Sequence, residues 1–330
     1  MDLKGKKVIV TGAEGFIGSH LVERLVEKNC DVTAFVQYNS FNNWGWIETF
    51  DKNLKDSIKV VQGDIRDYSH LKNCISGNEV VMHLAALIAI PYSYHSPDAY
   101  VNTNITGTLN VMQACKEAGI AKIVHTSTSE VYGTAQYVPI DEKHPLHAQS
   151  PYAATKIGAD KIAESFHLSF GLPVATIRPF NTYGPRQSAR AIIPTIISQV
   201  LAGSKTIKLG NLEPTRDFNY VLDTVNGFIL VAENDNTVGE VINVGSGKEI
   251  TIGELAKSIF KLMDADIEIQ SDMNRHRPET SEVYRLWSNI SKAQNIIGYS
   301  PKFTLEEGLS ATIDWMRINK SSFKTDIYNI

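Results

Sequence analysis

Short apolar runs rich in β-branched residues alternate along the chain with longer segments in which apolar residues recur every three or four positions. The short runs at 7–11, 32–36, 58–62, 80–84, 122–126 and 174–178 predict buried strands. The segment 16–28 puts Phe16, Ile17, Leu21, Val22, Leu25 and Val26 on a helical period, and 67–75, 97–118 and 151–170 read the same way. Strands alternating with helices predict parallel crossovers, hence an α/β fold with a doubly wound, Rossmann-type parallel sheet covered on both faces.

The rhythm changes after Pro179. Pro179, Pro185, Pro194 and Pro214 interrupt the alternation, followed by helical patterns at 191–202, 221–233, 251–263 and 304–316 and a strand pattern at 240–244. We expect a dinucleotide-type domain over 1–178, with 216–245 folding back onto its sheet. A smaller C-terminal α/β substrate domain would comprise 179–215 and 246–330.

At 330 residues, 43% hydrophobic and 21% charged, the chain can bury a large core. A net charge of −4 gives no electrostatic footprint for nucleic acid. Cys30, Cys74 and Cys115 are scattered and lack metal-ligand spacing, so no metal is expected and a reducing, cytoplasmic setting fits. The apolar stretch around 80–90 is too short to cross a bilayer, so no membrane partner is expected. The N-terminus runs straight into an apolar strand, without the pattern of a signal peptide.

Gly12-Ala-Glu-Gly15-Phe-Ile-Gly18 lies between the first strand and the first helix. A backbone that turns tightly there and lets a pyrophosphate approach a helix N-terminus needs glycine. Gly12, Gly15, Phe16, Ile17 and Gly18 are therefore candidate cofactor-binding residues. Asp64 and Ile65, after the third strand, are placed to meet an adenine, and Leu84, Ala85 and Ala86, after the fourth, to let the cofactor approach closely. Asn104 joins this set, whereas His83 reads as structural. At the end of the second strand, Gln37-Tyr38-Asn39-Ser40 offers neither an acid for ribose hydroxyls nor a base for a 2′-phosphate. The missing base favours NAD over NADP, with Gln37 at the ribose end.

Tyr152 and Lys156, four apart on one helical face, form a hydride-transfer pair in which the ammonium and a nicotinamide charge would lower the phenol from about 10. Thr128, after the fifth strand, can bond the same substrate hydroxyl. Glu130, in Thr126-Ser-Thr-Ser-Glu-Val-Tyr-Gly133, is the residue this pair does not need. It reads either as a helix cap or as a base for a C–H proton, one that becomes acidic only once the neighbouring alcohol is a ketone.

Together with Arg178-Pro-Phe-Asn-Thr-Tyr-Gly-Pro-Arg186, Arg216-Asp-Phe218 and Asn243-Val-Gly-Ser-Gly247, these motifs resemble the nucleotide-sugar branch of the extended short-chain dehydrogenase/reductases over essentially the whole chain. Thr128-Ser-Glu130 and Arg277-Pro-Glu-Thr-Ser-Glu-Val-Tyr-Arg-Leu286 are similar to GDP-sugar 4,6-dehydratases, most of all the GDP-N-acetylglucosamine dehydratases of legionaminic acid biosynthesis. The resemblance implies a lyase reaction with internal hydride transfer through bound NAD. Tyr152 would take the C4 hydroxyl proton and Glu130 the C5 proton, with water leaving from C6 and hydride returning there. Relatives with Asp at position 129 use it as the acid. Ser129 is a poor one, which would leave Glu130 both steps.

The resemblance also implies a nucleoside-diphosphate sugar as substrate, met by Asn181, Arg186, Arg190, Arg216 and Arg277, and a homodimer built by a four-helix bundle of the 97–118 and 151–170 helices. Trp44 and Trp46 read as packing. A 4-epimerase would use Tyr152 and Lys156 without Glu130. A UDP-glucuronate decarboxylase shares the Ser-Thr-Ser-Glu run but needs an arginine for the hexuronate carboxylate. A dinucleotide sensor would not need the intact Thr128, Tyr152 and Lys156.

Overall fold

The computed structural model describes residues 1–275, 277–320 and 323. Seven parallel strands form its main sheet: β1 Lys7–Thr11, β2 Asp31–Gln37, β3 Ile58–Gly63, β4 Val80–His83, β5 Lys122–Thr126, β6 Val174–Pro179 and β7 Val241–Val244. Their order is β3-β2-β1-β4-β5-β6-β7, in registers such as Val8 beside Val32 and Thr11 beside His83. The order reverses between β1 and β4. The crevice outside the C-terminal strand ends at such a reversal is where doubly wound sheets bind ligands.

Alternation along the strands divides the core. Val8 and Val10 pack with Leu21, Val22 and Leu25 of helix Phe16–Glu27 and with Phe228 and Val231 of helix Val221–Glu233. Ile9 points the other way, toward Leu71, Val111, Met112 and Phe166. Both faces are covered, so the strands read as unbroken apolar runs. The first cluster continues into Ile193, Ile196, Leu255, Ile259, Leu309 and Ile313, joining the C-terminal helices Ile252–Leu262 and Leu305–Ile318 to the sheet through one apolar core. Thr251 and Thr304 start those two helices with reciprocal capping boxes to Glu254 and Glu307.

The chain returns to the first sheet at β7, which pairs in parallel with β6. The helix expected over 97–118 is present without a break but is not α-helical throughout. Pro97–Tyr100 leads into a π-helical stretch, Val101–Thr106, before Gly107–Ala118. Asn104 lies inside the widened turn and is bonded to the backbone of Leu87, a tertiary cause that local periodicity does not carry. Short pairings complete the C-terminal part. Thr215–Arg216 lies between Ile250–Thr251 and Arg285–Leu286, which brings Arg216 beside the segment carrying Arg277 and Glu282. Among the described residues, no helix is long and apolar enough to cross a membrane, and no group of three or more His, Cys, Asp and Glu could hold a metal.

Candidate active site

The strand ends around the crevice bring two sets of residues together. In the glycine turn, Gly12 has φ +72°, and a Cβ there would stand 2.8 Å from the Ala85 nitrogen. A Cβ on Gly18 would stand 2.1 Å from the Gly12 carbonyl oxygen. The turn and the β4 end are thus pressed together as the expected pyrophosphate cradle requires. Helix Phe16–Glu27 begins at Gly15 with no side-chain cap, so no side chain of the cap claims the amides of its first turn. These features fit a dinucleotide.

Leu84 and Ala85 are fixed by hydrogen bonds from their amides to the Thr11 carbonyl (3.1 Å) and hydroxyl (3.2 Å). His83 bridges the hydroxyls of Thr11 (2.8 Å) and Thr108 (3.1 Å), and burial pushes its pKa well down, so it is structural as expected. The Asp64 carboxylate is forked by Arg66 at 2.5–3.0 Å, which holds its pKa down. It borders a surface cavity with Asn102 and Thr106. The Ile65 side chain is buried and would collide with any Cβ on Gly107, leaving its backbone as the part that could meet a ligand.

Asn104 is engaged within the protein. It is 1% exposed, its Oδ1 accepts from the Leu87 amide, and its Nδ2 donates to the Leu87 carbonyl and to Thr155 Oγ1. It braces the post-β4 loop against the Tyr152 helix. Gln37 sits exposed at the end of β2.

The second set is catalytic. Ser150 caps helix Pro151–Phe170 by accepting from Ala153, which fixes Tyr152 in the first turn and Lys156 one turn on. Lys156 Nζ donates to the Thr126 carbonyl at 2.6 Å, and Thr128 Oγ1 accepts from the Glu130 amide at 3.2 Å. Thr128, Ser129 and Glu130 thereby line up along the β5 end, opposite Tyr152. Ser129 and Glu130 are both buried.

Burial pushes the Tyr152 hydroxyl pKa up. A hydrogen bond with Thr128 works against this, and the charge of Glu130 adds to it. Burial also draws Lys156 down to about 8, opposed by Asp160. The expected lowering of Tyr152 is therefore not achieved by this chain's own groups, because the pair is buried deeply enough for desolvation to dominate.

Beneath the pair lies a network the motifs did not signal. Asp160, one turn beyond Lys156, accepts from Ser127 Oγ (2.6 Å) and Arg178 Nη2 (2.9 Å) and bonds His125 Nε2 (3.1 Å). Arg178 also donates to Tyr132 Oη (3.0 Å), which donates to Asn243 Oδ1 (2.8 Å). Burial opposes ionisation of Asp160, but His125 and Arg178 hold its pKa far below the carboxylate range. A carboxylate at i+4 from Lys156 was the available signal.

The five substrate-binding candidates separate. Arg216 is buried, its Nη1 donates to the Thr215 carbonyl, and its Nη2 lies 3.5 Å from Glu282. Arg277 Nη1 lies 3.9 Å from Glu130 Oε2 and 4.0 Å from Glu282 Oε1, buried and without a hydrogen bond. Two cationic forks thus converge on the Glu130 side of the crevice. Asn181 turns a buried, unpartnered Oδ1 inward. Arg190 is exposed, bonded to Ser188, and close enough to Tyr100 to affect its charge.

Arg186 is engaged with the first helix. It is forked onto Glu23 at 2.8 and 2.9 Å, and although burial opposes it, His20 and Arg186 bring Glu23 to about 2. Its charge joins the 183–190 loop to the first helix. Trp44 packs into the core and Trp46 lies edge-on to Trp315 at 5.3 Å, both as packing residues.

Residues 9–312 match the GDP-mannose 4,6 dehydratase family. A putative UDP-glucose 4-epimerase of Methanocaldococcus jannaschii is 32% identical, over 94% of this chain and 99% of that protein. The dTDP-D-glucose 4,6-dehydratase of Mus musculus is 30% identical, over 97% and 91%. The solved structure of the dTDP-glucose 4,6-dehydratase DesIV from Streptomyces venezuelae, with NAD and TYD bound, superposes with a TM-score of 0.87 at 29% identity, over 96% of this chain and 99% of that one.

Proposed function

The chain belongs to the GDP-mannose 4,6 dehydratase family, within the extended short-chain dehydrogenase/reductases, and from that premise we propose that it is an NAD-dependent nucleotide-sugar 4,6-dehydratase. The observation that carries this reading is Glu130, a buried carboxylate beside Tyr152 and within reach of Arg277. An epimerase has no task for it, whereas an elimination needs a base for the C5 proton.

Tyr152 takes the C4 hydroxyl proton, with Thr128 orienting that hydroxyl and Lys156 holding the helix to the β5 end through Thr126. Bound NAD would accept the C4 hydride, return it at C6, and bring the positive charge that favours a Tyr152 phenolate. Glu130 then removes the C5 proton made acidic by the C4 ketone. Ser129 offers no acid, so Glu130 passes that proton to the departing C6 hydroxyl, and C5 takes up a solvent proton through Glu130 when hydride would return to C6. The product is a 4-keto-6-deoxy sugar nucleotide.

Gly12, Gly15 and Gly18, with the backbone of Ile65 and Leu84 to Ala86, would hold the dinucleotide. Arg216 and Arg277 would hold the diphosphate, for which Arg forks are suited. We place the cofactor on 1–178 with 216–245 and the nucleotide sugar on the remainder. Thr128-Ser-Glu130 and the Arg277 segment support GDP-N-acetylglucosamine, as used for legionaminic acid, among the candidate substrates. A homodimer is supported by exposed apolar residues on the two long helices, Leu109, Leu168 and Phe170.

Incubation with GDP-, UDP- and dTDP-sugars, read by mass, tests the reading. Loss of one water, strongest with GDP-N-acetylglucosamine, is expected. Unchanged mass with an inverted C4 would make it an epimerase, and loss of carbon dioxide from a hexuronate a decarboxylase.

A further inference from the structure

We propose that Glu14, a residue of the glycine turn, sets the preference for NAD over NADP by supplying the acid that the end of β2 lacks. The inference rests on the NAD reading above. In doubly wound nucleotide sites a carboxylate at the second strand end accepts the ribose 2′-hydroxyl. Here that end is Gln37-Tyr38-Asn39-Ser40, with no acid. The Glu14 carboxylate reaches it from another element: its Oε1 accepts the Gln37 amide at 3.0 Å, at the exposed end of the strand. One side chain therefore spans from the turn that would receive the pyrophosphate to the strand end that would receive the ribose.

The carboxylate is held there. Its Oε2 is turned in, sealed from solvent and without a hydrogen-bond partner. The Glu14 carbonyl accepts the Trp46 amide at 3.0 Å, so the 44–46 strap lies across the turn. Gly45, at φ +58°, permits this: a Cβ there would stand 2.7 Å from the Glu14 carbonyl oxygen and 2.9 Å from its Cβ. Burial raises the pKa of Glu14, and hydrogen bonds from its own amide and from Gln37 counter that. An ionised carboxylate offers about four acceptor sites, more than the Glu14 and Gln37 amides use. A 2′-phosphate in the same place would set two anions against each other and leave the phosphate without a cation.

The test is dinucleotide binding to protein stripped of nucleotide, measured by calorimetry for wild type, Glu14→Gln and Glu14→Ala. Glu14→Gln keeps the size and an acceptor for Gln37, so it isolates the charge. Wild type should bind NAD at least about a hundredfold more tightly than NADP. Each variant should cut that ratio by about tenfold or more, equivalent to roughly 1.4 kcal/mol. An unchanged ratio in both variants, even with both dinucleotides weakened, would overturn the proposal and leave Glu14 only joining turn to strap. Wild type that binds neither dinucleotide would overturn the NAD reading itself.

Discussion

Arg277 Nη1 stands 3.9 Å from Glu130 Oε2, joining the residue proposed as base to a residue proposed as substrate anchor. Glu282 lies 4.0 Å from the same nitrogen and 3.5 Å from Arg216. The charges of both arginines are therefore shared with carboxylates that a diphosphate would have to outcompete.

Replacing Arg277 with alanine should weaken nucleotide-sugar binding by about a hundredfold, because a desolvated charge partner is worth roughly 2–5 kcal/mol. Lysine should recover only part of this, since a point charge cannot fork a phosphate. Steady-state KM and competition by a nucleoside diphosphate check both statements. Unaltered binding in Arg277→Ala would remove Arg277 from the substrate site.

Arg186 should behave differently. Its fork on Glu23 predicts that Arg186→Ala lowers stability by about 1 kcal/mol, because half-buried Glu23 loses its fork and keeps only His20 beside it, while KM changes little. Denaturant unfolding beside steady-state kinetics separates the two effects. A large KM change with unaltered stability would restore Arg186 as a phosphate ligand.

Asp160→Asn should destabilise by about 3–5 kcal/mol, because it leaves Arg178 buried without its counter-charge. The Asp160 pKa is depressed in the folded protein, so its contribution is present above the unfolded carboxylate value and is lost as pH falls below it. Wild type and variant should therefore converge in stability toward strongly acidic pH. A gap that persists unchanged there would contradict the electrostatic account.

The activity profile has a predicted basic limb. Lys156 lies at about 8 because burial disfavours its ammonium, against an ordinary value near 10.4. Its charged form is present below that value and is lost as pH rises through it, so kcat/KM should fall above about pH 8. A rate that stays level to pH 10 would show that the ammonium is not required.

The central strands were legible because they are buried on both faces and read as unbroken apolar runs, as Val8-Ile-Val10 does. Tyr152, Lys156 and the glycine turn were legible because their spacing is itself the chemistry. Other features depend on partners distant in sequence. The π-helical stretch follows from Asn104 bonding Leu87, and the Asp160 network needs Arg178 from β6. Arg186 and Arg277 look alike as sequence, and only Glu23 beside one and Glu130 beside the other separate them. Glu14 carried no signal because its partner is the backbone of Gln37.

Tyr152→Phe should retain bound NAD and fail at C4 oxidation. In a single turnover with nucleotide sugar, the variant should show no transient reduced-nicotinamide absorbance. A normal transient would mean that another group accepts the C4 hydroxyl proton.

The most direct test is the mass of the sugar-nucleotide product formed in deuterium oxide by wild type and Glu130→Gln. Wild type should give a product that has lost one water and gained one solvent deuterium at C5, while Glu130→Gln binds NAD normally and gives no water loss. A wild-type product of unchanged mass, or a Glu130→Gln variant that eliminates water at the wild-type rate, would contradict the account.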